Sequence, residues 1–382
     1  MRDVDIIGVG LTSFGKHLDK SLVDLGGMVA IEAVKEAGIK PSEVNIGFFS
    51  NMLAGSIFTD FTIGENVLWQ AGISRVPVFN IENACTSGSS AFNLGWMSVA
   101  SGAYDIAIVV GAEKLIVPNL GMMQAGKTEL DTLEGLVVPT AFAMRANLHM
   151  KTYGTTKEQL AMVAVKNRRH AGLNPRAQFR KPITIEEVLN GPTIADPLTK
   201  LSCCPNADGA AAIVLCVSDL SRRYNSRPVR VAASVLQTGS YENPCNLAVW
   251  DADRRASRIA YEKAGLGPKD LSVVECHDAF TISEICHYEG LGLCPEGEGG
   301  RFIESGATTL GGKIPVNPSG GLLSKGHPIG ATSVAQIVEG YRQLRGEAGD
   351  YQVEGAKVFM AECMGADKAG DVKTCTVNIL KI

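Results

Sequence analysis

The chain has 382 residues, of which 45% are hydrophobic and 20% charged, and at about 100–200 residues per domain this predicts two or three compact units around a large core. The formal net charge of −4 argues against the basic surface on which nucleic-acid binding depends. No run approaches the roughly 18 apolar residues of a membrane span, and the acidic first residues do not suit a secretory signal, so we expect a cytoplasmic protein.

Apolar runs and helical spacing alternate along the first part of the chain. Strands are predicted at residues 4–9, 44–49, 77–81 and 106–110. A helix is predicted at residues 22–37, because Gly38 caps its end and Pro41 follows as a stop signal. A Gly/Ser-rich turn at residues 85–90 opens a second helix. This alternation of strands and helices predicts an α/β fold.

The same order of elements returns later, with a strand at residues 229–236, a helix at 256–264 and a strand at 271–275. Three residue pairs that mark the helix end, its cap and the stop signal are each 227 positions apart: Ala37/Ala264, Gly38/Gly265 and Pro41/Pro268. A helix opened by residues 326–330 and strands at 358–361 and 375–380 complete the second copy. We therefore predict a duplicated α/β half-domain.

The two copies differ in the distance between their last two strands. In the second copy a short turn separates them, whereas in the first the final strand, at 211–217, follows the long segment 115–200. We predict three units: residues 1–114 plus 201–225 as the N-terminal half, 115–200 as an inserted loop domain, and 226–382 as the C-terminal half. Long insertions often form the walls of binding sites. The apolar residues that predict such a wall are Met122, Met123, Phe142 and Met144.

Some motifs point weakly to other chemistries. Gly8 and Gly10 follow a strand, but Ser13 replaces the third glycine of a dinucleotide fingerprint. The cysteines lack metal-binding spacing, so we predict thiols and no metal site. The histidines without a partner context are interpreted as surface or core residues: His17, His149, His170 and His287.

Two cysteines and two histidines lie where strands end or helices begin, which is where α/β sheets place their active sites. Cys85 follows a predicted strand and precedes a helix, a position that lowers the pKa of a thiol. His327 lies in a Gly-His-Pro turn before a helix, and His277 and Cys363 each end a predicted strand. Together they supply a nucleophile, a base, a second acid/base and donors for an oxyanion.

The residues alone leave structural roles open for two of these side chains. A packed cysteine in a buried helix explains Cys85 about equally well, because buried cysteines are common. His277 is also explained as a strand-end histidine bonded to Asp278.

Six segments of the chain together resemble the thiolases, most closely the sterol-carrier-protein type and its bacterial and archaeal relatives. They are C-T-S-G-S-S-A at Cys85, S-C-C-P-N-A-D-G-A-A-A from Ser202, H-D-A-F at His277, L-G-L-C-P-E-G-E-G-G-R-F from Leu291, N-P-S-G-G-L-L-S-K-G-H-P-I-G-A-T-S ending at Ser333, and C-M-G at Cys363. The resemblance covers essentially the whole chain. It implies the thiolase fold, in which two duplicated α/β/α halves form a five-layered core with an inserted loop domain.

The resemblance also implies a role for each candidate. Cys85 would be the acylated nucleophile, and His327 would take its proton and later activate the thiol of coenzyme A. Cys363 would protonate the departing carbanion, or form it in the condensing direction. One oxyanion pocket would use His277 and His327, and the other the backbone N–H groups of Cys85 and Gly365.

Coenzyme A is implied as a co-substrate, with no tightly bound cofactor and an acyl-CoA as substrate. The residues assigned to substrate and coenzyme A binding are Cys204, Gly320, Gly321, Arg168 and Arg169. Further basic candidates for the phosphates are Lys166, Arg176, Arg180 and Lys181. A homodimer is expected. Relatives of this branch sometimes work with a small subunit that bears an OB fold and a zinc ribbon, so such a partner is a further hypothesis.

The sequence departs from the family at two points, since His277 and Asp278 replace the Asn-Glu of many thiolases, and Ala366 and Asp367 stand where glycines are common.

The leading hypothesis is thiolytic cleavage of a 3-oxoacyl-CoA, or the reverse Claisen condensation, through an acyl-cysteine. The alternatives are a retro-aldol lyase of the same fold and a non-catalytic acyl-CoA or lipid-binding subunit. A hydroxymethylglutaryl-CoA synthase or a ketosynthase is less favoured, because Cys363 would have no role there.

Overall fold

The computed structural model describes residues 1–118, 129–225, 227–240, 246–367 and 371–382. The predicted apolar residues Met122 and Met123 lie outside this part of the chain. The strands are β1 (Val4–Leu11), β2 (Ile46–Ser50), β3 (Val78–Ile81), β4 (Ile106–Glu113), β5 (Thr193–Ala195), β6 (Leu198–Thr199), β7 (Gly209–Val217), β8 (Val229–Thr238), β9 (Val273–Glu275), β10 (Val358–Asp367) and β11 (Val372–Lys381).

The α-helices of the described residues alternate with these strands. They are α1 (Leu22–Ala37), α2 (Ala54–Ile57), α3 (Ile63–Gln70), α4 (Ser87–Ala100), α5 (Leu130–Leu133), α6 (Val138–Tyr153), α7 (Lys157–Leu173), α8 (Ile185–Leu189), α9 (Ser218–Tyr224), α10 (Asp251–Ala264), α11 (Thr281–Gly290), α12 (Gly299–Glu304), α13 (Gly321–Lys325) and α14 (Ile329–Arg345). Among them, none combines the length and the apolar character that crossing a bilayer requires.

Among the described residues, nine strands join into one mixed sheet in the order β3-β2-β4-β7-β1-β8-β11-β10-β9. Strand β2 runs parallel to β3 and β4, whereas β7 is antiparallel to both β4 and β1. The two halves meet at β1 and β8, where Asp5 pairs with Arg230 and Ile6 with Val229. The predicted half-domains therefore share one continuous sheet.

The strand order confirms the predicted duplication. The N-terminal half has the order β3-β2-β4-β7-β1, and the C-terminal half repeats it from the opposite edge as β9-β10-β11-β8. The counterpart of β3 is reduced to a single parallel bridge between Val316 and Val274. The second copy thus keeps the topology of the first and shortens its edge strand.

Helices α4 and α14 form the middle layer of the fold. They contact each other and strands of both halves, namely β4 and β7 on one side and β8 and β10 on the other. On the outer faces, α1 packs against β1 and β7, and α10 packs against β8 and β11. The N-terminal and C-terminal halves of the sheet therefore lie on opposite sides of α4 and α14, and the succession of helix, half-sheet, helices, half-sheet and helix confirms the predicted five-layered core.

The predicted bounds of α1 coincide with the observed ones, because local signals fix both ends. At the start, Ser21 and Asp24 form a reciprocal capping box. At the end, Gly38 has a φ of 70°, and Gly265, its counterpart after α10, has a φ of 66°. Both glycines adopt the left-handed conformation that closes a helix.

The inserted segment places α7 against the C-terminal half. Helix α7 packs on α8, α11, α12 and α13. Several of its polar side chains are buried: Lys166, Asn167, Arg168 and His170. The sequence predicts that this basic segment binds phosphates. In the structure, part of the segment is instead buried in the interface between the insertion and the C-terminal half. The predicted domain boundaries stay a prediction.

Candidate active site

Cys85 lies in the short segment between β3 and α4 and is half-buried. Burial raises the pKa of its thiol to about 12, and the carboxylate of Glu113 adds to the rise, whereas the backbone N–H of Ala366 opposes it. The predicted lowering of this pKa is therefore wrong. The free-energy cost of removing the thiolate from water exceeds the stabilisation that one backbone N–H and the start of a helix provide. Cys85 is therefore a neutral thiol at neutral pH.

His327 is held in one orientation by its own loop. Its backbone N–H donates to the carbonyl of Pro205 at 3.2 Å, and its Nδ1 lies 2.7 Å from Oγ1 of Thr332. Because the Thr332 hydroxyl donates its proton to the carbonyl of Pro328 at 3.0 Å, the hydrogen of the imidazole is assigned to Nδ1 and Nε2 is left bare. Burial lowers the pKa of His327 to about 3, so the ring is neutral.

Three of the predicted catalytic side chains converge. The sulfur of Cys85 and ring nitrogens of His277 and His327 all lie within 4.8 Å of one another. The two imidazole rings meet edge to face, with their centroids 5.3 Å apart. His277 is buried, and among the described residues neither of its ring nitrogens has a hydrogen-bond partner. An unpartnered imidazole beside a nucleophile is available to a substrate oxygen.

Cys363 lies beside the backbone of the nucleophile. Its sulfur donates to the carbonyl oxygen of Cys85 at 3.2 Å, and its side chain is only 1% exposed. Burial and the neighbouring Glu362 and Cys85 raise the pKa of Cys363, so this second thiol is protonated. The structure thus brings together the four catalytic residues predicted from the sequence.

Gly365 permits the close approach of β10 to the Cys85 segment. A Cβ atom at Gly365 would lie 3.1 Å from the carbonyl oxygen of Asn83 and 3.2 Å from the nitrogen of Cys85. The next residue, Ala366, has a φ of 56°, a left-handed conformation that alanine rarely adopts. Its N–H faces the Cys85 sulfur. In the sequence Ala366 is evident only as a departure from the family, so this donor was missed there.

A buried ion cluster holds the backbone of His277 from both sides. The N–H of His277 donates to Glu362 at 2.9 Å, and its carbonyl accepts from Nε2 of His287 at 3.1 Å. The Nδ1 of His287 lies 2.6 Å from Asp253 and 3.4 Å from Glu362. Burial alone would lower the pKa of His287, but the two carboxylates raise it to about 9. His287 is a core residue, as expected, yet its contact with the catalytic loop was missed.

Glu113 is a second buried group that sequence reasoning missed. Its carboxylate, at the end of β4, accepts from the side chain of Asn51 at 2.8 Å and from the N–H groups of Met52 and Gly330 at 2.9 Å each. Burial raises the pKa of Glu113 to about 7. Through Gly330 it fixes the start of α14, three residues after His327. Nothing in its local sequence distinguishes it from a surface glutamate.

The residues assigned to the acyl-CoA lie close to this centre. Cys204 is half-buried, and its N–H donates to the carbonyl of Ala279 at 2.8 Å. Burial raises the pKa of its thiol, and the nearby Cys85 adds to this rise. Gly320 caps the start of α13 and Gly321 is its first residue, and their φ values are 105° and 58°. Their assignment to substrate binding stays a prediction.

The basic candidates divide into buried and exposed residues. Lys166 is buried in an ion pair with Glu284, so its assignment to a coenzyme A phosphate is wrong. Arg168 is also buried, with Nε donating to Ser324 at 3.0 Å. Arg169 is exposed, as are Arg180 and Lys181. Exposed guanidinium and ammonium groups are the ones that a phosphate can reach.

Two family models match almost the whole chain. The thiolase N-terminal domain matches residues 4–219, and the thiolase C-terminal domain-like model matches residues 233–371. The chain belongs to the thiolase family. It is an acyltransferase of that family, since relatives of high similarity carry acyltransferase and thiolase names.

Two such relatives match over nearly their full lengths. The acetyl-CoA acetyltransferase of Methanothermobacter thermautotrophicus is 43% identical, with 96% of this chain and 97% of that protein covered. The benzoylsuccinyl-CoA thiolase subunit BbsB of Thauera aromatica is 42% identical over 92% of each chain. Among solved structures, the Ltp2-ChsH2(DUF35) aldolase superposes with a TM-score of 0.83 at 24% identity, covering 98% of this chain and 97% of that one. This last likeness shows the fold.

The hydrogen bond between Thr332 and His327 is testable through its effect on thiolase activity. Replacing Thr332→Val leaves the buried Nδ1–H of His327 without an acceptor, which costs about 1–3 kcal/mol and frees the ring to rotate. We expect kcat to fall about 10- to 100-fold with little change in the KM for coenzyme A. The matched variant Thr332→Ser keeps the hydroxyl and should stay near wild type. Equal losses in both variants, measured by steady-state kinetics, would show that the hydroxyl does not act through His327.

Proposed function

We propose that the protein cleaves a 3-oxoacyl-CoA with coenzyme A, or catalyses the reverse Claisen condensation, through an acyl group on Cys85. The observation that carries the proposal is the meeting of a thiol, a neutral imidazole with a bare nitrogen, and a second protonated thiol around one point. Each of these groups matches one step of the reaction. The relatives named as an acetyl-CoA acetyltransferase and a benzoylsuccinyl-CoA thiolase support the same chemistry.

In the cleavage direction, Nε2 of His327 takes the thiol proton as the Cys85 sulfur bonds to the ketone carbon. The bond between that carbon and its thioester-bearing neighbour then breaks, and its electron pair goes to the neighbour. Cys363 supplies the proton that completes the departing acyl-CoA. The proton on His327 then returns to the thiolate of Cys363, so that both groups are neutral again. His327 next takes the thiol proton of coenzyme A as the sulfur of coenzyme A bonds to the acyl carbon, and it gives that proton to the sulfur of Cys85 as the bond between Cys85 and the acyl group breaks. Because both starting groups are neutral, proton transfer accompanies bond formation and no ion pair precedes it.

Negative charge develops on two carbonyl oxygens during this sequence. The unpartnered ring of His277, beside His327, suits one of them, and the N–H of Ala366 joins those of Cys85 and Gly365 as candidates for the other. A single donor of this type lowers a barrier by about 2.7–4 kcal/mol. The clamp of Glu362 and His287 on the backbone of His277 keeps its ring in place for that task.

Coenzyme A would serve as the co-substrate, with no tightly bound cofactor. Its phosphates require cations at the surface, and Arg169, Arg180 and Lys181 are exposed on the inserted segment that packs over the C-terminal half.

The proposal is tested by the acyl-enzyme. We expect that incubation with a panel of 3-oxoacyl-CoAs, followed by peptide mass spectrometry, detects an acyl group on Cys85. The retro-aldol lyase predicts a released acyl-CoA fragment with no adduct on Cys85, and a non-catalytic subunit predicts neither.

A matched variant separates acylation from carbon–carbon cleavage. Cys363→Ala should still accept an acyl group on Cys85 from a simple thioester, while its cleavage rate falls by about 10²–10⁴, the usual contribution of a general acid or base. Cys294→Ala, at a half-buried thiol outside the site, serves as the control. Full cleavage activity in Cys363→Ala would reject its role.

We also propose that two copies pair through β3. Among the described residues this strand is at the edge of the sheet and pairs with β2 alone, and an unpaired strand edge invites another strand. Around it lie exposed apolar side chains, with Phe79 50% and Trp69 61% exposed, and Leu94 and Met97 on the adjoining α4.

The cytoplasmic location and a small partner subunit remain predictions. The relative named subunit BbsB and the solved Ltp2-ChsH2(DUF35) aldolase support such a partner by analogy.

The pairing is tested by light scattering on the purified chain. We expect a mass twice the 40.4 kDa of one copy. Phe79→Glu places a charge on the proposed interface and should give a monomer, whereas Leu173→Glu, at an exposed position on α7, should leave the dimer intact. A dimer that survives Phe79→Glu, or a wild-type monomer, would contradict pairing through β3.

A further inference from the structure

We propose that Cys85, His277 and His327 form a binding site for Zn²⁺ in the empty enzyme, so that free zinc is a reversible inhibitor competitive with the acyl-CoA. One sulfur and two imidazole nitrogens within 4.8 Å of one another form the donor set. The three residues come from three distant parts of the chain, so no spacing in the sequence signals the site. Competition with substrate rests on the proposed function, whereas metal binding itself does not.

The two imidazoles are prepared to bind a metal. His277 is 3% exposed, and both of its ring nitrogens lack partners among the described residues, so binding breaks no existing hydrogen bond of that ring. In His327 the contact with Thr332 keeps the hydrogen on Nδ1 and presents Nε2 as a donor.

The geometry suits a zinc site with an open position. Sulfur and nitrogen ligands of tetrahedral Zn²⁺ lie about 3.3–3.6 Å apart, so donors within 4.8 Å need only a small inward movement of their side chains. Two histidines and one cysteine leave a fourth position for water or for the thiol of coenzyme A. Cys85 is half-buried rather than sealed, which gives the ion a path to the site.

Binding exchanges a proton for a metal and involves no oxidation. The S–H bond of Cys85 breaks, its proton goes to solvent, and a sulfur–zinc bond forms. The charged or titratable groups near this sulfur are Glu113, Cys204, Cys363, His277 and His327. The carboxylate of Glu113 favours the positive charge that binding adds.

A second group of donors serves as an internal comparison. Asp253, Glu362 and Cys375 also lie within 4.8 Å of one another, but all three are buried. The charge of Asp253 is already matched by His287 at 2.6 Å, and Cys375 donates to Asp253 at 3.3 Å. Asp253 and Cys375 are therefore already engaged without a metal, and although Oε1 of Glu362 has no partner among the described residues, all three side chains are closed to solvent.

The test titrates the substrate-free, reduced protein with Co²⁺ as a spectroscopic substitute for Zn²⁺. We expect one equivalent to bind with a sulfur-to-cobalt absorption band, and Zn²⁺ to displace it. Zn²⁺ should also slow the alkylation of Cys85 by iodoacetamide, measured by peptide mass spectrometry. Neither readout requires catalytic activity, so failure here is distinguishable from failure of the proposed function.

Variants locate the metal. Cys85→Ser should abolish the sulfur band, and His277→Gln should weaken binding by at least about tenfold. Cys294→Ser and His17→Gln, a thiol and an imidazole outside the site, should bind like wild type, with circular dichroism confirming that every variant is folded. Absence of binding to the wild type, or binding that survives Cys85→Ser and is lost in Cys375→Ser, would overturn the proposal.

Discussion

The architecture of this site depends on the close approach of the start of α14 to the end of β4. A Cβ atom at Gly330 would lie 2.6 Å from the Cα of Asn51, and one at Gly111 would lie 2.3 Å from the carbonyl oxygen of Gly330. Side chains at either position would push the two halves apart. The hydroxyl of Ser50 donates to the same carbonyl at 2.7 Å, and the carboxylate of Glu113 accepts the N–H of Gly330. Both the N–H and the carbonyl of Gly330, in the C-terminal half, are thus hydrogen-bonded to residues of the N-terminal half.

This contact explains why residues far apart in the chain can react together. His327 lies three residues before Gly330, and Cys85 lies two residues before the start of α4, the helix that packs against α14. Cys363 lies on β10, and its thiol donates a hydrogen bond to the backbone carbonyl of Cys85. The same packing removes water from the site, and this loss of water keeps the thiol and the imidazole neutral.

Local signals made most of the fold predictable from the sequence. The helix α1 and its counterpart α10 end at glycines that close a helix wherever they occur, and the match of these signals at a fixed offset revealed the duplication. The candidate residues Cys85, His277 and His327 could be identified from the sequence because each follows a strand or precedes a helix, whereas Cys363, which was predicted to end a strand, lies inside β10, which continues to Asp367. Their pairing as nucleophile and base came from the resemblance to a family.

What could not be predicted depends on contacts between distant segments. The clamp on His277 joins Asp253 of α10, His287 of α11 and Glu362 of β10, and none of these is distinctive in its own sequence context. The burial of Lys166 was missed for the same reason, since a lysine in a basic stretch is ordinarily exposed. The pKa of Cys85 was predicted in the wrong direction because its position at a helix start was visible and its desolvation was not.

The central claim is that Cys85 faces a neutral His327 whose Nε2 carries no proton. Nitrogen-15 NMR of protein labelled at its six histidines tests it directly, with His327 assigned by its loss in His327→Gln. Between about pH 5 and 8, the range in which an ordinary histidine titrates, we expect a constant neutral ring protonated at Nδ1. A protonated imidazolium ring at His327, paired with a thiolate in the substrate-free enzyme, would contradict it.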